Sequence, residues 1–193
     1  HNPTGAVLTE QDITDIGEVA KKHNLWLLVD EVYDEMVFND KPFFTPLSHP
    51  DLADRVIVVS SISKTHAAPG FRSGWCVGPV DFCSRLLPFS EGMLFGNQPF
   101  IADATAVAVS NASQVAKGMC QRFFNRANHL EEFLHGRTGL KVQKPEAGMF
   151  ALVNVSCSGM NGEDYAMDLL TNQGVGVMPG SSFGESLKDW VRI

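Results

Sequence analysis

The chain has 193 residues and a formal net charge of −7, with 44% hydrophobic and 19% charged residues. That balance supplies a core for one sizeable domain, or one and a half small ones, and argues against an anionic nucleic-acid or membrane surface as partner. No apolar run approaches the roughly 20 residues needed to cross a bilayer.

In chain order, Thr9-Glu10-Gln11-Asp12 resembles a capping box, and Ile13, Ile16 and Ala20 follow at helical spacing. Residues 9–23 are therefore expected to form an amphipathic helix. The run Leu25-Trp26-Leu27-Leu28-Val29 ends in Asp30, and Arg55-Val56-Ile57-Val58-Val59 ends in Ser60-Ser61. Short apolar runs alternating with helices predict buried parallel strands of an α/β sheet. A third run, Gly74–Gly78, follows a tight turn at Pro69-Gly70. Residues 98–110 and 113–135 read as helices. Ser113 is placed to cap the second, and Gly136 and Gly139 punctuate its end. Beyond it Leu140–Val142, Met149–Val155, Val175–Met178 and Trp190–Ile193 are strand-like, with one helix near 163–172. Strands clustering after a long helix predict a second, α+β domain. The expected division is 1–115, the C-terminal portion of a large domain, and 116–193, part of a small one.

Cys76, Cys83, Cys120 and Cys157 lack C-x-x-C spacing and accompanying histidines. They read as free thiols, buried or partly buried, in a reducing cytoplasm, and no metal site is expected. His1-Asn2-Pro3-Thr4-Gly5 carries neither a Met nor a charged leader, and Trp190–Ile193 reads as a strand cut short. The chain is therefore expected to be a piece of a longer protein.

Taken alone, Lys64 would be a surface lysine and Asp30 the start of a turn. Together the polar clusters carry more. Asn2-Pro3-Thr4-Gly5, Asp30-Glu31-Val32-Tyr33, Ser61-Ile62-Ser63-Lys64-Thr65 and Arg72-Ser73-Gly74-Trp75 stand in a fixed order. Asn2 precedes Asp30 by 28 positions, Ser61 precedes Lys64 by 3, and Lys64 precedes Arg72 by 8. Four linked motifs of this kind resemble the signature of the class I aminotransferases of fold type I, which work with pyridoxal 5′-phosphate (PLP). The resemblance runs on through Gly148-Met149-Phe150 and Val175–Gly180 to Arg192.

That resemblance implies an α/β fold with a mostly parallel sheet and flanking helices, followed by part of an α+β small domain. It implies amino-group transfer between an α-amino acid and a 2-oxo acid. Lys64 would hold PLP as a Schiff base and move a proton once displaced. Asp30 would face the pyridine nitrogen and keep it protonated. Tyr33 and Asn2 would hydrogen-bond the ring oxygen. Ser61 and Arg72 would take the phosphate, and Arg192 the substrate α-carboxylate. It implies a homodimer too, and site residues from an upstream part of the family's chain: a phosphate-binding turn and a ring stacked on the pyridine. The isolated piece is expected to be inactive.

Other residues carry plainer expectations. His66 reads as a turn residue, Trp75 as packing, Phe123, Phe124 and Phe133 as core, and Glu31 and Asp34 as solvated. Two further functions stand beside transamination: a C–S β-lyase of the same fold, and an aminotransferase-like sensor domain of a transcription regulator. Tyr33 favours the transaminase over the lyase, whose members often carry His there. For substrate, Gly92–Ile101 is similar to arginine–pyruvate transaminases. Dicarboxylate-specific relatives place an arginine roughly 30–35 residues after the lysine to grip the distal carboxylate. Here no arginine lies between Arg85 and Arg122.

Overall fold

A computed structural model describes residues 1–134 and 139–193. His135 and Gly136, expected at the end of the long helix, lie outside them. The chain divides into two compact units, Leu8–Met119 and His1–Val7 with Cys120–Ile193.

The first unit opens with α1, Glu10–Lys22. The expected capping box is formed: the Thr9 hydroxyl accepts from the Asp12 N–H, and Asp12 Oδ2 accepts from the Thr9 N–H at 2.8 Å. Ile13, Gly17 and Ala20 form the buried stripe, and Ile16 is on the open side. Gly17 takes the place foreseen for Ile16 because Leu52 lies so close that a Cβ there would be 2.7 Å from its Cδ1.

β1 (Leu27–Asp30), β2 (Val56–Ser61) and β3 (Gly74–Val77) form a three-stranded sheet in that order. β1 and β2 are parallel, with Asp30 level with Val59. β2 and β3 are antiparallel, with Ser61 opposite Gly74. The described sheet is thus mixed, with one parallel and one antiparallel pair, where a mostly parallel sheet was expected. The segment between β2 and β3 holds only a four-residue helix and a 3-10 turn, no helix long enough to run back along the sheet, and the chain turns back. Leu27 and Val29 pack on the core of Leu52, Val56 and Val58, whereas Leu28 points the other way and is 66% exposed. The first run therefore alternates and is not buried on both faces.

α2 (Ile62–Thr65) follows β2 at once, and α4 (Pro99–Val109) packs against it. Between them α3, Val80–Leu94, was not anticipated. Phe82, Leu86, Phe89 and Met93 fall on one side at helical spacing and Ser84 and Glu91 on the other, so the helical period is present in the sequence. Pro88 in its interior removes a backbone donor. α5 runs from Gln114 to Leu134, through the division between the units.

The second unit holds a four-stranded antiparallel sheet, β4 (Lys141–Gln143), β5 (Leu152–Asn154), β6 (Met178–Pro179) and β7 (Trp190–Arg192), in the order β4-β5-β7-β6. α6, Gly162–Gln173, is capped by Asn161, whose Oδ1 accepts from the Glu163 and Asp164 N–H groups. Leu140, Val153, Val155, Ala166 and Val191 form its core. The first seven residues belong here because the Gly5 carbonyl accepts from the Glu146 and Ala147 N–H groups at 2.9 and 3.0 Å. Phe133, expected in the core, is exposed. No helix among the described residues is long and apolar enough to cross a membrane.

Candidate active site

The sheet of the first unit places five of the expected site residues at one edge. Parallel β1 and β2 end there, at Asp30 and Ser61, and antiparallel β3 begins there at Gly74. Lys64 lies on the short helix that leaves this edge, and Arg72 lies two residues before β3 returns to it. Tyr33 lies in the turn after β1. Such strand ends are where open α/β sheets gather ligand-binding residues.

The edge is shaped by close backbone approach. A Cβ on Gly74 would stand 2.7 Å from the Ser60 carbonyl oxygen and 3.2 Å from Ser61 Cβ, so β3 can start beside the Ser61 turn only with glycine. Ser61 caps α2, its hydroxyl oxygen accepting from the Ser63 N–H at 3.3 Å. The hydroxyl proton stays available to an acceptor outside the chain. Lys64 is half-buried, and among the described residues its ammonium has neither an ion-pair nor a hydrogen-bond partner.

Two non-glycine residues of this loop, Ala67 and Arg72, are left-handed, with φ of 50° and 53°. Each costs on the order of 1 kcal/mol or more, and persists only where its surroundings over-determine it. Those surroundings are identifiable. His66 Nε2 donates to the Ala108 carbonyl at 3.0 Å, which leaves Nδ1 to accept from the Thr65 hydroxyl at 2.9 Å. Asn97 Nδ2 donates to Ser73 Oγ, Ser73 to Thr105 Oγ1 and Thr105 to the Ile101 carbonyl, at 2.8, 2.7 and 2.8 Å. His66, expected as a plain turn residue, thus fastens the lysine loop to α4.

The turn after β1 differs from expectation. Asp30 is exposed, with Oδ1 accepting from the Val32 N–H at 3.1 Å. Glu31 and Asp34, expected in solvent, are withdrawn from it. Glu31 is only 9% exposed, and its Oε1 accepts from the Thr45 hydroxyl at 2.7 Å. Burial pushes both carboxyls above the ordinary range; the Thr45 hydroxyl opposes this at Glu31, and the Glu35 N–H does so at Asp34. The cause is the chain's return: Met36 is fully buried, and the turn follows it inward. Cys76 is also raised by burial, with Cys83 beside it, and Cys157 is exposed, so burial does not extend to every thiol.

Asn2 and Arg192 belong to the second unit. Arg192 Nη1 donates to Asn2 Oδ1 at 2.8 Å, and the guanidinium lies 4.8 Å from the Phe183 ring centroid and 5.6 Å from that of Phe150. β7 lies between β5 and β6, so Arg192 is on an inner strand. The sequence supplies both residues but gives no sign of their pairing, 190 positions apart. Arg72 also has an internal contact, Nη1 to the Pro69 carbonyl at 3.1 Å.

The donor set of the first unit suits a group with an aldehyde, a basic ring nitrogen and a phosphate. It offers an unpartnered amine, an exposed carboxylate, and a guanidinium with a hydroxyl.

Comparison with known proteins bears on the chain as a whole. The family model described as aminotransferase class I and II matches residues 1–193. The chain is 35% identical over 193 residues to an arginine–pyruvate transaminase of Pseudomonas aeruginosa, covering 100% of this chain and 49% of that one. It is 32% identical to an aspartate aminotransferase of Streptomyces avermitilis, covering 95% of this chain and 47% of the relative. Among solved structures, the aromatic aminotransferase of Pyrococcus horikoshii OT3 superposes with a TM-score of 0.89 at 28% identity, covering 100% of this chain and 52% of that one. The chain spans about half the length of the curated relatives it matches.

Proposed function

From the premise that this chain belongs to the class I and II aminotransferases, with the fold type I architecture of its solved neighbours, we propose that the full-length protein is a PLP-dependent transaminase. It moves an amino group between an α-amino acid and a 2-oxo acid. The observation that carries the reading is the half-buried, unpartnered amine of Lys64 at the strand edge that also bears Asp30, Ser61 and Arg72. Lys64 would hold the cofactor through its Nζ. Bound PLP supplies an electron-accepting ring.

The chain's own residues do the rest. The Lys64 amine would be the base that takes and returns the substrate's Cα proton. The Asp30 carboxylate keeps a proton on the ring nitrogen. Ser61 and Arg72 bind the phosphate, the hydroxyl donating once and the guanidinium offering its planar fork. Tyr33 donates to the ring oxygen. Asn2, whose Oδ1 already accepts from Arg192, has its amide NH₂ to donate there as well. Arg192 pairs with the substrate α-carboxylate. The Phe150 and Phe183 rings restrict its guanidinium, lowering the entropy lost when the carboxylate binds.

For the domains, the proposal is 1–115 as the portion of the large domain that holds the cofactor lysine and 116–193 as part of the small one, with residues 1–7 grouped with the latter. Assembly as a homodimer in the cytoplasm rests on the family resemblance and on exposed apolar residues of α3 such as Leu87, Phe89 and Met93. No observation favours the C–S lyase or sensor-domain reading. The test is a single-turnover reaction of the full-length holoenzyme with an amino acid. Stoichiometric 2-oxo acid should form with wild type and none with Lys64→Ala. Ammonia release with no amino group left on the cofactor would overturn the reading in favour of the lyase.

A further inference from the structure

α2 has four residues, too few to hold its own geometry, and its last carbonyls find their partners beyond it. One of them, the Thr65 carbonyl, accepts from the Ser113 hydroxyl at 2.7 Å. Ser113 is 7% exposed, and its Oγ also accepts from the Ala116 N–H at 3.1 Å, capping α5. Its backbone N–H donates to Glu35 Oε2 at 2.6 Å. Glu35 follows Tyr33 by two residues, and Thr65 follows Lys64 by one. A single residue at the start of α5 therefore fastens both the turn bearing Tyr33 and the helix bearing Lys64. The two fastenings leave from adjacent atoms, the backbone nitrogen and side-chain oxygen of one residue, so their separation is fixed by covalent geometry.

We infer that Ser113 is a positioning residue: with Glu35 it sets the placement of the Lys64 amine relative to the Tyr33 hydroxyl, and through that the protonation of the Lys64–cofactor link and the rate of proton transfer. The inference rests on the reading of Lys64 as the cofactor lysine. Ser113 touches neither reacting atoms nor cofactor. Its effect is one of orientation, where misplacement by about 1 Å can cost up to about a hundredfold in rate.

The experiment is a spectrophotometric pH titration of full-length holoenzyme, with steady-state kinetics, on wild type, Ser113→Ala, Ser113→Thr, Asn161→Ala and a Lys64→Ala blank. Asn161→Ala strips a comparable cap from α6, away from the Lys64 loop, and so reports what lost stability alone does. Ser113→Ala should move the midpoint of the Lys64-dependent absorbance by about half a pH unit or more. It should lower kcat about tenfold while KM stays within about threefold. Ser113→Thr, which keeps the hydroxyl, should restore both, and Asn161→Ala should move neither. A wild-type midpoint and kcat in Ser113→Ala, or equal shifts in Asn161→Ala, would overturn the positioning role and leave Lys64 in place. An absorbance unchanged in the Lys64→Ala blank would overturn the reading of Lys64 and the inference with it.

Discussion

Glu31 and Asp34 stand on either side of Tyr33, and burial raises both carboxyls. For a carboxyl whose folded pKa is raised, the stabilising contribution is fully present below the unfolded value. It is lost as pH climbs through the folded value. Glu31→Gln removes this titration and keeps an oxygen to accept from Thr45. The melting temperature of Glu31→Gln relative to wild type should therefore rise between about pH 4 and about pH 7. A difference constant across that range, read by thermal scans, would show that Glu31 does not pay for its burial. Tyr33, Asp30, Ser61, Lys64 and Arg72 are legible as a set because the motif order and spacing single them out. The burial of Glu31 is not: it depends on Thr45, fourteen residues on, folding back to meet it. Ser113 is half legible. Its cap follows from its place before a helix, whereas its bond to Thr65 joins segments 48 positions apart and leaves no local trace.

At the scale of elements, the strand edge depends on β3 starting against the end of β2. Gly74→Ala would push a Cβ into the Ser60 carbonyl. It should cost about 1–3 kcal/mol in a denaturant titration and weaken PLP binding, because Arg72 lies two residues before the displaced strand. Gly70, with open space around its Cβ position, is the comparison: Gly70→Ala should stay within about 0.5 kcal/mol. A Gly74→Ala variant as stable as Gly70→Ala would show that β3 can shift freely. Helices with a polar signal at their ends, α1 and α6, are legible to within a residue or two. α3 is not, because Pro88 interrupts a helical period that Phe82, Leu86, Phe89 and Met93 otherwise carry. The pairing sense of β3 goes with a connection that holds only a four-residue helix and a 3-10 turn, which the apolar run itself does not reveal.

At the scale of the whole molecule, the change from an α/β pattern to a strand-rich one is visible in the sequence. The return of residues 1–7 to the C-terminal unit is not, since the bonds that make it, between Gly5 and Glu146 and Ala147, Val7 and Glu146, and Asn2 and Arg192, join residues far apart in the chain. The absence of arginine between Arg85 and Arg122 carries a prediction about substrates. A distal carboxylate needs a cationic partner, so the full-length enzyme should favour neutral or basic side chains over aspartate. A kcat/KM for aspartate about tenfold above those for alanine, leucine and arginine would refute it. All of this depends on one covalent assignment, which a single measurement addresses: borohydride reduction of the full-length holoenzyme followed by peptide mapping. The account predicts a pyridoxyl label on Lys64, in the peptide containing Ser61-Ile62-Ser63-Lys64-Thr65. A label on any other lysine would contradict it.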